Sequence, residues 1–174
     1  MRATTKQAWT GGLYAGLLGY LVVVVFLALV NLLAGRSPFY TAALFGSALF
    51  YGLRDPAALV ITPGAVLTYN MVHALAFLVL GQVVSWLVME AERFPVLRYA
   101  VLVTLIFVAV HVYGFLLLFA QPLLEGSAWW QLGAASVLAA AAMGAYLLWA
   151  HPGLRRSLKE IPIGAEGEEK AALT

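Results

Sequence analysis

The chain has 174 residues, of which 63% are hydrophobic and 10% charged, with a net charge of +2 and a mean hydropathy of +0.92. A soluble domain is about a quarter charged, so this chain could not cover a surface in water, and most of its length must face lipid. The absence of cysteine excludes disulfides, thiolate catalysis and Cys-ligated zinc or iron–sulfur clusters, and the small net charge argues against nucleic acid as a partner.

A helix needs about 20 apolar residues to cross a hydrocarbon core of about 30 Å, and four stretches meet this. The first is 13–33. Arg2 and Lys6 precede it as they would a signal peptide, but its apolar run is longer than a usual signal core and three more spans follow, so it reads as a retained helix. Residues 38–52 come next, opened by Ser37 and Pro38. Their apolar run of about 15 residues is too short to cross. Phe39, Ala43, Gly46, Phe50 and Leu53 share one helical face, while Tyr40, Thr41, Ser47 and Tyr51 fall mostly on another. This pattern predicts a helix lying along the membrane interface, the alternative being a re-entrant segment shielded by protein. Asp55 before Pro56 reads as a helix cap rather than a catalytic acid.

The second span, 64–89, is entered by Thr62 as cap and Pro63 at the first helical position. The third, 96–119, begins after Pro95. The fourth, 129–150, has Ser127 as a cap and stops at His151–Gly153. Residues 1–153 thus form a single transmembrane domain. Residues 154–174, ending in a small, acidic stretch, are expected to be a disordered cytoplasmic tail. No internal repeat is evident.

Seven basic residues (Arg2, Lys6, Arg93, Arg98, Arg155, Arg156 and Lys159) fall at one end of the predicted spans, against Arg36 and Arg54 at the other. The positive-inside rule then puts both termini in the cytoplasm of a cell (inner) membrane protein. Trp9, Trp86, Tyr99 and Trp149 mark one interface, and Tyr40, Tyr51, Trp129 and Trp130 the other. Lipid supplies no hydrophobic drive for helix association, so small residues must provide close contact. The candidates are Gly12, Gly16 and Gly19 in the first span and Ala140 and Gly144 in the fourth.

The polar residues of the spans carry the functional question. His73 lies 19 positions before Glu92, the centre of the turn between spans two and three, and His111 lies 19 positions after it. In an antiparallel hairpin the two imidazoles are level, roughly 20–25 Å from the cytoplasmic interface. Asn70 and Phe77 share a face with His73. Thr104, Phe107 and Gly114 share one with His111. Tyr69 and Tyr113 lie nearby. One reading is bis-imidazole ligation of a b-type haem, with Gly81, Gly114 and the alanines of span four making room for the macrocycle. A second is a quinone pocket with His73, Asn70 or Tyr69 donating to a carbonyl. A third is a set of interhelical hydrogen bonds that fix register.

No Asp, Glu, Lys or Arg lies deep within the four cores, which argues against a carboxylate-coupled pump or transporter. Glu90, Glu92 and Arg93 read as a solvated turn. His151 reads as a cation at a helix C-terminus, and Arg155, Arg156 and Lys159 as a patch on anionic headgroups. The expected molecule is an all-α integral membrane protein: a four-transmembrane-helix bundle with a short interfacial helix between the first two spans. Its expected role is that of a non-catalytic subunit or accessory protein, acting through helix contacts with other membrane subunits or with itself. The alternatives are an electron-transfer subunit holding b-type haem or quinone at His73 and His111, and a small-molecule permease. No motif is specific enough to name a family.

Overall fold

A computed structural model describes residues 5–119 and 129–160, with all side chains in them except those of 5–7, 112, 113 and 115–119. Every regular element among the described residues is helical. They are α1 (Thr5–Leu33), α2 (Tyr40–Phe50), α3 (Pro63–Ala91), α4 (Arg98–Phe119), α5 (Trp129–Ala150) and α6 (Pro152–Glu160), with 3-10 turns at Pro56–Ala58 and Pro95–Leu97. Among the described residues, three helices are long and apolar enough to cross a membrane: Ala8–Leu33, Pro63–Ala91 and Trp129–Ala150.

Local chemistry sets the helix ends. Thr62 Oγ1 accepts the Ala65 N–H at 3.3 Å with Pro63 at the first helical position. Asp55 Oδ1 accepts the Ala57 N–H at 2.9 Å ahead of Pro56, the capping role its sequence predicts. Gly35 closes α1 with a φ of 69°, which lets the Arg36 N–H reach back to Asn31 O at 2.9 Å.

α1 packs on α3 and α5, and α4 on α5 and more thinly on α3, so the four long helices form a ring, with α2 laid against α3. At one end the start of α1 meets the end of α3: Ser85 Oγ donates to Ala8 O at 2.8 Å, and Gln82 Nε2 to Trp9 O at 2.9 Å. At the other end Asn31 Nδ2 donates to Thr41 Oγ1 at 2.8 Å, tying α1 to α2.

The α1–α3 contact is backbone to backbone. A Cβ on Gly16 would strike Phe77 O, and one on Gly81 would strike Gly12 O and lie 2.7 Å from Gly16 Cα. A Cβ on Gly19 would come within 2.7 Å of Met143 Sδ and 2.8 Å of the Phe77 ring, where α1, α3 and α5 meet. Ala140 is buried in the same core as Val23, Leu27 and Phe77. Gly144 faces α4, where a Cβ would meet Leu105 at 3.3 Å.

Large side chains point the other way. On α1, Leu13, Leu17, Leu21, Val25 and Leu29 form an i,i+4 stripe that is 45–55% exposed, whereas Gly12, Ala15, Gly16 and Gly19 are buried. In water such an arrangement forfeits about 25 cal/mol for each Å² of apolar surface left uncovered. It is stable where the surroundings are themselves apolar.

Two elements depart from the sequence expectation. In α2 the buried arc is Ala43–Gly46. A Cβ on Gly46 would strike Ala65 O, so α2 sits tight on the start of α3, while Phe39 and Phe50 are exposed. The expected disordered tail also begins too early, because Pro152–Glu160 is helix α6. Leu154 and Leu158, four apart, pack against Val84, Val88, Val101 and Leu147, and this apolar row holds the segment in a helix. The remainder of that stretch, 161–174, lies outside the described residues, as do 120–128 with the predicted Ser127 cap.

Candidate functional site

The 3.6-residue period stacks Tyr69, His73 and Phe77 on one face of α3. The His73 ring lies 5.0 Å from Tyr69 at 20° and 5.1 Å from Phe77 at 64°, with Tyr20 of α1 at 6.0 Å. Its Nε2 is buried with no hydrogen-bond partner among the described residues. His111 on α4 stacks on Phe107 at 5.8 Å, and its Nδ1 lies 2.7 Å from Val108 O. A carbonyl can only accept, so Nδ1 is assigned the proton and Nε2 is left as an acceptor.

Both imidazoles line one cavity of about 20 Å³, closed by Tyr69, Leu132, Ala135 and Ser136. The pair predicted to be level therefore shares a common space. That space suits one water, which needs roughly 10–15 Å³ and two to four polar partners.

Of the other predicted site residues, Tyr69 lines the cavity, whereas Asn70 and Thr104 are engaged elsewhere. Asn70 donates from Nδ2 to Val66 O at 2.8 Å and accepts the Tyr20 hydroxyl at 2.9 Å, so it joins α3 to α1 rather than serving His73. Thr104 donates back to Ala100 O at 2.8 Å, within its own helix. The side chain of Tyr113 lies outside the described residues. Among the described residues the α1 backbone fills the space at Gly81, and Gly114 is exposed, with nothing within 4 Å of a Cβ built there. No group of three or more metal-ligating side chains gathers among the described residues.

A second polar cluster, at the α6 end, was not legible in the sequence. Arg98, predicted only as a topological charge, is 2% exposed. It donates from Nε to Pro95 O at 2.9 Å and from a terminal nitrogen to Ser157 O and Oγ at 3.2 and 3.3 Å. His151 Nδ1 lies 3.3 Å from Glu92 Oε1, both side chains largely buried. Glu92 is thus not part of a solvated turn, and His151 has a specific partner besides the end of α5. Glu90 and Arg93 do pair at the surface, at 3.5 Å.

His73→Phe keeps the stacking on Tyr69 and Phe77 and removes an unpartnered nitrogen. Its unfolding free energy in detergent is expected to stay within about 1 kcal/mol of the parent, or to rise. A loss above about 2 kcal/mol would mean that Nε2 holds a bound group.

Comparison with family models, with curated proteins and with solved structures finds no match to this chain.

Proposed function

We propose that this chain is a non-catalytic integral membrane subunit or accessory protein that works through helix contacts in a larger membrane assembly. α1, α3, α4 and α5 are its four spans, and α2 is an interfacial helix. Both termini are cytoplasmic, as the excess of basic residues at the α6 end supports. The observation that carries the reading is how the polar groups inside the bundle are used. Ser85, Gln82, Asn31, Asn70 and Tyr20 all bind α1 to α3 or α2, and α1 meets α3 backbone to backbone at Gly16 and Gly81. Such an interior holds a scaffold in register. The surface left for recognition is the apolar outer face, including Leu102, Val103, Ile106, Phe107 and Val110 of α4, which packs on α5 and only thinly on α3.

The test is gentle solubilisation of native membranes followed by sizing and cross-linking. The protein is expected to migrate in an assembly well above its own 18.7 kDa. Emergence as a lone monomer under every mild detergent would contradict the proposal.

A further inference from the structure

Between α3, α4, α5 and α6 lies a second cavity, of about 170 Å³. Its wall is aliphatic almost throughout, with Val101, Leu105, Gly144, Leu147, Leu154 and Leu158 lining it. Leu102 and Leu148 also line it and are 43% and 37% exposed on the flank of the bundle, so the mouth opens sideways, toward where hydrocarbon would lie. The volume takes roughly five or six groups the size of a water or a methylene. Water would find almost no polar partner there.

We propose that this cavity seats part of an acyl chain of an anionic phospholipid, whose headgroup is held by the basic face of α6. The sequence of α6 supplies both halves of the site. Leu154 and Leu158 face the cavity. Arg155 and Lys159, each one residue further on, form an adjoining i,i+4 row and are exposed, as is Arg156. Glu160 is the sole acid of the helix. The bonds from Arg98 to Ser157 anchor α6 against the bundle, so the apolar and basic rows keep a fixed relation. Hydrocarbon outside is as apolar as the cavity, so burying the chain positions the lipid and confers no selectivity by itself. Selectivity comes from the cations, which attract an anionic headgroup.

Native mass spectrometry of the purified full chain, titrated with phosphatidylglycerol or phosphatidylcholine, tests this. One phosphatidylglycerol is expected to be retained about tenfold more tightly than phosphatidylcholine. Gly144→Leu, whose Cβ meets only the tip of Leu105, fills the cavity and should abolish retention of both lipids with the unfolding midpoint unchanged. Leu148→Trp blocks the mouth and reads the same site should Gly144→Leu misassemble. Arg155→Gln with Lys159→Gln should leave retention but remove the preference. Equal retention of the two lipids by the parent overturns the proposal. So does phosphatidylglycerol binding that survives both cavity variants, or a preference that survives the charge variant.

Discussion

Gly81→Leu is expected to part α1 from α3 and to cost about 3 kcal/mol or more of unfolding free energy. A Cβ there strikes Gly12 O and stands 2.7 Å from Gly16 Cα. Both obstacles are backbone, so no side chain can turn aside to relieve the overlap. α1 must retreat, and in retreating it stretches the bonds from Ser85 to Ala8 O and from Gln82 to Trp9 O. The control is Gly114→Leu, the same chemical change at a position where a Cβ meets nothing within 4 Å. It should be neutral, or gain up to about 1 kcal/mol from the better helix propensity of leucine. Unfolding of the two variants in detergent, followed by circular dichroism, separates them. Equal stabilities would show that α1 and α3 do not meet through their glycines.

Arg98→Ala should be the next most damaging change, at about 1.5–3 kcal/mol, the range for hydrogen bonds to a charged group. The guanidinium is buried, and three acceptors lose a donor at once: Pro95 O, Ser157 O and Ser157 Oγ. Its effect is directional as well as energetic. The α6 helix loses its polar tether and keeps only Leu154 and Leu158 as anchors. Limited trypsin digestion is expected to cut at Arg155 and Arg156 several-fold faster than in the parent, with the α1–α5 core protected. Ser157→Ala, which removes one acceptor oxygen, should have a smaller effect. Cleavage at the parent rate in Arg98→Ala would mean that the guanidinium does not hold α6 in place.

Composition and span length carry most of what the sequence reveals, because a bilayer imposes its thickness on every crossing helix. The caps at Asp55 and Thr62 were legible because they depend only on neighbouring residues. The small-residue face of α1 was legible from the spacing of Gly12, Gly16 and Gly19. Its counterpart Gly81 was not, since a lone glycine in an apolar run has no periodic companion to mark its purpose.

The candidate site divides in the same way. Equal depth of His73 and His111 follows from counting residues about the turn, whereas their shared cavity depends on helix rotation, which arises from packing. Asn70 and Thr104 fall on the right faces by spacing. Their side chains nevertheless take the nearest acceptor, a carbonyl four residues back in their own helices. Arg98 was misread because topology rules treat a charge as a label for one side of the membrane, and His151 was read only through the helix end beside it. Here each has a partner far along the chain, Ser157 and Glu92. The spacing of Leu154 and Leu158 was visible in the sequence and would have marked α6 had the small, acidic stretch that follows not been taken to set the character of the whole tail.

The central proposal is a pair of membrane hairpins with the turn after α3 and helix α6 at the same end, opposite Arg54. The chain has no cysteine, so a single introduced thiol can be read without background. Arg93→Cys, Arg156→Cys and Arg54→Cys, all at exposed positions, are probed with a membrane-impermeant reagent before and after permeabilisation. The first two are expected to label from the same side, the cytoplasm, and the third from the opposite side. Labelling of Arg93→Cys and Arg156→Cys from opposite sides would contradict the bundle.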